Sequence, residues 1–203
     1  VSAQIHAVLS DIGADAVKIG MLSNASIIEA VHSSLFPAPK FLVLDTVMLA
    51  KGGAALLQPD AVEALKTLLL PLATVVTPNI PEAEVLSGIS IKTTADMIKA
   101  GEIILTLGAK AVLVKGGHME ADIVTDILVT GSIHKSITHK RIITKNTHGT
   151  GCTLASAIAC NLANGFSLEE SVQKATDYVH NAIITAPQIG KGHGPLNHLT
   201  PAN

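Results

Sequence analysis

Short apolar runs rich in β-branched residues alternate along this chain with longer stretches in which apolar positions recur every three or four residues. The first pattern suits strands buried on both faces and the second suits amphipathic helices, so together they predict βα units around a mostly parallel sheet. Strands are expected over 16–19, 41–47, 74–77, 111–115, 123–129 and 132–143, with a hairpin turn at Gly131-Ser132 between the last two. Helices are expected over 24–35, 59–70, 81–86, 93–107, 150–163 and 167–186, and a further helical pattern runs from Gln4 to Ile12. Asn24, Thr93 and Ser167 are placed to cap helix N-termini, and Ser167-Leu168-Glu169-Glu170 has the capping-box form. The chain shows no repeat and no low-complexity tract, and loops such as Phe36-Pro37-Ala38-Pro39 are too short for an interdomain linker. A single α/β domain over residues 1–203 follows.

Composition sharpens this picture. Apolar residues make up 48% of the 203, yet there are three Phe, one Tyr and no Trp, so the core must be built from Ala, Val, Ile and Leu. A formal net charge of −2, with basic residues scattered, gives no footprint for nucleic acid. No apolar run reaches the length of a membrane span, and Val1-Ser2-Ala3-Gln4 has no signal-peptide character. Cys152 and Cys160 stand eight positions apart, about two helical turns, too far to bridge. Reduced thiols and a cytoplasmic location are expected. The nine histidines are dispersed, without the spacing of a zinc site, and His193-Gly194-Pro195-Leu196-Asn197-His198 reads as a C-terminal loop.

The segment richest in chemistry is Lys145-Asn146-Thr147-His148-Gly149-Thr150-Gly151-Cys152, a glycine-punctuated turn that opens an Ala-rich helix. Free N–H groups at such a turn, reinforced by the helix dipole, form an anion site, and the glycines let a phosphate come close to the backbone. A thiol in the first helical turn is favoured as thiolate by the same field. The same residues can equally make a tight turn followed by a buried cysteine, and composition does not choose. The segment is neither a Walker A loop, which ends in Gly-Lys-Ser/Thr, nor a dinucleotide GxGxxG. A second cluster, Thr77-Pro78-Asn79-Ile80-Pro81-Glu82, falls where a strand gives way to a helix. Its Glu82 can reach a phosphate-bound Mg²⁺ or satisfy the helix N-terminus beside a capping Asn79, and the two roles are compatible. Asp45 and Lys115-Gly116-Gly117-His118 end two further strands. Ligands of open α/β sheets bind outside the carboxyl ends of strands, which puts these residues on one edge.

Taken with Asp15-Ala16-Val17-Lys18-Ile19-Gly20-Met21-Leu22, Leu44-Asp45-Thr46-Val47-Met48 and Gly192-His193-Gly194-Pro195, these motifs make the chain resemble the hydroxymethylpyrimidine/phosphomethylpyrimidine kinases of thiamine biosynthesis, in the ribokinase-like superfamily. The resemblance implies a three-layer fold and ATP-dependent phosphorylation of 4-amino-5-hydroxymethyl-2-methylpyrimidine and of its monophosphate, with Mg²⁺. It assigns Cys152 as general base and Gly149, Thr150 and Gly151 as the anion hole. Lys115, Asn79 and Asp45 go to the ATP phosphates, Glu82 and Asp45 to the metal, and Met21 and Val47 to the apolar wall around the pyrimidine. It leaves room for a homodimer and calls for no nucleic acid and no membrane. Two departures stand out. Thr46 replaces the family's usual Pro, which should change loop stiffness more than chemistry. The family's N-terminal strand, its Ser-Gly-Gly-Ala-Gly substrate loop and a pyrimidine-contacting Gln have no counterpart before Val1, so a fold lacking that strand and loop is expected. Pyridoxal or pyridoxine kinase is the rival within the superfamily, disfavoured because its base is usually Asp. A non-catalytic pyrimidine-binding module is the rival outside it.

Overall fold

The computed structural model describes residues 1–48, 56–119, 121–131 and 133–201. Within them, β1 (Val17–Ile19), β2 (Leu42–Leu44), β3 (Val75–Val76), β4 (Ala111–Val114), β5 (Ile123–Thr130) and β6 (His134–Lys140) form one six-stranded sheet in chain order. The first four run parallel, and β5 and β6 pair antiparallel on the far side. Two reversals return β6 to the direction of β1–β4, so all five of these strands end on the same edge.

Alternation along the strands sorts the core into two layers. Leu42, Leu44, Val76, Val112, Val114, Ile127 and Val129 pack on one face with α2 (Ala25–Ser34), α3 (Pro59–Ala64), α4 (Ile80–Ser87) and α5 (Thr94–Leu105). Val43, Val75, Ala111, Leu113, Leu128 and Ile137 pack on the other against α6 (Thr150–Ala163) and α7 (Leu168–Ile184). Crossovers that keep one hand while the sheet grows in one direction must lie on one face, which explains why α2 to α5 share a layer. The chain leaving β6 then crosses to the second face and lays α6 over β1 and β2. The result is helix, sheet, helix, the three layers that the resemblance implied.

The caps at Asn24, Thr93 and Ser167 form as expected, the last two as complete capping boxes. α1 (Ser2–Asp11) buries none of its residues and leans Ile5 and Leu9 on the first core layer. The helix expected over 59–70 keeps α geometry only to Ala64, then widens into a π turn over Leu65–Leu69 and a 3₁₀ turn over Leu70–Leu72. Pro71 supplies no N–H and its ring crowds the carbonyl one turn back, so the regular ladder cannot continue through it. The strands expected over 41–47 and 132–143 are shorter, β2 ending at Leu44 and β6 spanning His134–Lys140. Of the expected turn Gly131-Ser132, Ser132 lies outside the described residues; Thr130 and Ile133 flank it with a backbone hydrogen bond of 2.9 Å. Among the described residues no helix is long and apolar enough to cross a membrane.

Leu113 is fully buried in β4 at the centre of the second layer. Leu113→Ala should therefore lower the unfolding free energy by about 2–5 kcal/mol. Urea titration measures this, and a loss under about 1 kcal/mol would contradict the core assignment.

Candidate active site

The site is built by strand ends in register. Asp45, one residue past β2, donates its N–H to Ile19 of β1 at 2.9 Å, while Thr77 donates its own to Leu44 at 3.0 Å. Lys115, one residue past β4, donates its N–H to Pro78 at 2.8 Å and lies in bridge position to Asn79. These backbone bonds bring three side chains together. Asp45 is buried, at 1% exposure, and its Oδ1 accepts from Lys115 Nζ at 3.3 Å and from Thr77 Oγ1 at 3.4 Å. Its Oδ2 stands 3.7 Å from the Lys18 ammonium and accepts no hydrogen bond. A carboxylate with this little water needs compensating charge, and here it has a lysine from each side.

Beneath this pair lies Glu82, also buried. Asn79 accepts the Glu82 N–H at 3.0 Å while Glu82 Oε2 accepts the Asn79 N–H at 2.9 Å, a capping box that starts α4. The same Oε2 accepts from Thr46 Oγ1 at 3.2 Å, and Oε1 receives the Met48 N–H at 3.5 Å. Glu82 therefore spends its lone pairs inside the protein, tying the segment after β2 to the start of α4. Thr46 gains a meaning here as well: its hydroxyl makes a bond that a proline at this position could not. Burial pushes the Glu82 carboxyl above its ordinary range, with Lys115 pulling the other way.

Gly149 caps α6 with φ of 84°, a left-handed conformation that suits glycine. The helix then begins at Thr150, and its first-turn N–H groups point out of the helix end. Gly151 comes close to the charged pair: a Cβ there would sit 3.3 Å from Lys115 Nζ and 4.0 Å from Asp45 Oδ1. A side chain there would press on the ammonium and push it aside by a few tenths of an ångström or more. Asn79, Lys115, Thr150 and Gly151 line a single cleft of about 460 Å³ that runs on to Val179 and Ile183 of α7. It has a basic, glycine-walled end and an apolar end.

Cys152 is exposed, which removes the buried-cysteine alternative. Its side chain leaves the helix on the other side of Gly151 and borders a separate hollow of about 570 Å³, with Ser156, Cys160, Tyr178 and His198. The structure thus gathers Asp45, Asn79, Glu82, Lys115, Thr150 and Gly151, and sets Cys152 just beyond them. Met21 and Val47 follow the paired ends of β1 and β2, Met21 half exposed and Val47 partly buried.

Four participants escaped the sequence reading. Lys18, a charge inside an otherwise apolar strand, was the most legible, because a lysine there must find a partner. Thr77 gave no signal, and Thr46 stood out only as a replacement for proline, with no hint of its bond to Glu82. Asp126 of β5 is buried and its Oδ1 accepts the Gly116 N–H at 2.8 Å, which fixes the loop after Lys115. Burial raises its carboxyl too, against the pull of that N–H and of Lys115. A side chain on Gly116 would collide with the Thr125 carbonyl. Burial, with Lys115 nearby, holds the His118 imidazole below its ordinary range.

Comparison with known proteins bears on what this arrangement does. The sequence model of the family described as phosphomethylpyrimidine kinase matches residues 1–197. The thiamine biosynthesis bifunctional protein ThiED of Geobacter sulfurreducens is 48% identical over 203 residues, covering 100% of this chain and 41% of that protein. The hydroxymethylpyrimidine/phosphomethylpyrimidine kinase of Bacillus subtilis is 45% identical over 198 residues, 97% of this chain and 73% of that one. This chain thus spans under half of the bifunctional relative and about three quarters of the Bacillus kinase. Phosphomethylpyrimidine kinase from Clostridium difficile 630 superposes with a TM-score of 0.79 at 45% identity, covering 90% of this chain and 74% of that one. Bacillus subtilis pyridoxal kinase, solved as an ADP complex, gives 0.90 at 37%, covering 97% and 74%.

The buried Glu82 carries a testable consequence. Its folded carboxyl keeps a proton to higher pH than the ordinary value of 4.5, at which the unfolded chain titrates. The folded state therefore binds the extra proton in that window, and stability falls as pH rises through it. Glu82→Gln cannot titrate, so its unfolding free energy should fall less steeply than the wild type's from about pH 4.5 upward. Urea unfolding across that range checks this; parallel slopes would contradict it.

Proposed function

The chain belongs to the phosphomethylpyrimidine kinase family, and from that premise we propose that it transfers the γ-phosphoryl group of ATP to the hydroxymethyl oxygen of 4-amino-5-hydroxymethyl-2-methylpyrimidine, then to the monophosphate. Its three-layer architecture is the ribokinase-like fold of the kinases it superposes on. The observation that carries the proposal is the convergence of Lys115, Asp45 and Gly151 at the start of α6, in a cleft whose other end is apolar. Phosphoryl transfer asks little covalent chemistry of the protein; it asks that phosphates be held in line and their charge be met. An ammonium fixed by a buried carboxylate, beside first-turn N–H groups and a helix dipole, answers that requirement.

In this reading the cleft takes ATP, the phosphates at Lys115, Asn79 and Gly151 and the base at the Val179 and Ile183 end. Mg²⁺ would arrive on the phosphates and neutralise part of their charge. Of the two expected carboxylates, Asp45 keeps an oxygen without a hydrogen bond, whereas those of Glu82 are engaged. Asp45 is the better partner for hydrated Mg²⁺. The pyrimidine would lie on the Cys152 side of Gly151, walled by Met21 and Val47. There Cys152 would serve as general base toward the acceptor hydroxyl while the 149–151 turn holds the transferred group. Residues 1–203 would act as one kinase domain, in the cytoplasm.

Pyridoxal phosphorylation is the second reading, favoured by the TM-score of 0.90 against the Bacillus pyridoxal kinase. The greater sequence identity to the hydroxymethylpyrimidine/phosphomethylpyrimidine kinase of Bacillus subtilis, 45% against 37%, ranks it behind.

Cys152→Ala should lower kcat by about 100-fold or more while leaving the Kd for ADP within about twofold, since a general base contributes on that scale and makes no nucleotide contact. Steady-state kinetics and calorimetry measure the pair. An Ala variant that turns over at the wild-type rate would remove Cys152 from the mechanism.

A further inference from the structure

Arg141 leaves β6 at the rim of the same cleft. Its backbone N–H donates to the Asp122 carbonyl at 2.7 Å. Its guanidinium reaches three more carbonyls of the loop beyond β4: Nε donates to Ala121 at 2.6 Å, Nη1 to Gly117 at 3.2 Å, and Nη2 to Met119. Those bonds use three of the five guanidinium N–H groups and leave one on each terminal nitrogen. Among the described residues no carboxylate lies within ion-pair distance of Arg141.

The other cations at this edge differ from it. Lys115 and Lys18 both face Asp45, and Lys140 is exposed with a flexible stem. Arg141 alone among these is held by neutral dipoles, has no carboxylate partner among the described residues, and lines the cleft. A guanidinium fixed in this way, with two N–H groups to spare, suits the oxygens of a phosphate better than an ammonium does.

We propose that Arg141 binds the polyphosphate of the nucleotide and, through its grip on the carbonyls of Gly117, Met119 and Ala121, couples phosphate occupancy to the position of the loop that follows Lys115. This rests on the nucleotide reading of the cleft and adds to it a specific phosphate ligand. The loop carries Gly116, pinned by Asp126, so the coupling is confined to the residues beyond it.

Calorimetric titration of ADP and of adenosine, at one Mg²⁺ concentration, into wild type, Arg141→Met and Arg141→Lys tests the proposal. Arg141→Met should weaken ADP by about tenfold or more and adenosine by less than about twofold, because only ADP carries the charge that Arg141 meets. Arg141→Lys, which keeps the charge but cannot span three carbonyls, should fall between. A misfolded fraction would lower the binding stoichiometry of both ligands and not the ratio of their affinities. Equal weakening of ADP and adenosine would mean that Arg141 supports the loop only, and unchanged ADP affinity would exclude phosphate contact; either overturns the inference. If wild type binds neither ligand, the nucleotide reading itself fails, and this inference with it.

Discussion

The carboxylate of Asp45 sits almost out of water between the ammonium groups of Lys18 and Lys115, and the site depends on that arrangement. An isolated carboxylate buried to this degree would be strongly unfavourable, and either lysine without it would be a cation with no reason to turn inward. The three therefore hold one another, Lys18 from within β1 and Asp45 and Lys115 from the ends of β2 and β4. What they hold in place is the Lys115 ammonium, close under the Gly151 backbone, where a side chain would crowd it. Strand register, the Thr77 hydroxyl and the capping box at Asn79 and Glu82 all serve that placement.

The shape of the site follows from where α6 begins. Because β6 ends on the same edge as β1 to β4, the chain returns to that edge before crossing the sheet, and the Gly149 turn arrives beside the lysine. A helix N-terminus and a fixed cation then address the same point in space. Neither is specific by itself, since helix starts and edge lysines are common; their coincidence in a cleft with an apolar far end is what suits a nucleotide. The thiol of Cys152, one residue further on, borders a separate hollow, so two cavities flank Gly151, and the proposal gives the nucleotide to one and the acceptor to the other.

Much of this was legible in the sequence, unevenly and for physical reasons. The bounds of α6 could be read because Gly149 opens it and Asn164-Gly165 closes it. The helix over 59–70 misled because its apolar period continues while Pro71 withdraws the backbone donor that α geometry needs. Asp45, Asn79 and Lys115 were placed on one edge by the rule that parallel strands end together, but Lys18 was passed over as part of a strand. The orientation of Cys152 could have been read: Leu154, Ala155, Ile158, Ala159 and Leu162 define the buried face of α6, and Cys152, Ser156 and Cys160 fall on the exposed one. The Thr46 bond to Glu82 and the Arg141 clamp could not, since both join segments far apart in the chain with no periodic signature.

The most direct test of the account is ADP release from Mg-ATP in the presence and absence of 4-amino-5-hydroxymethyl-2-methylpyrimidine, followed by phosphorus NMR of the product. The account predicts release that requires the pyrimidine and yields its phosphate ester. Nucleotide binding with no pyrimidine-dependent release would contradict it and leave a binding module in its place.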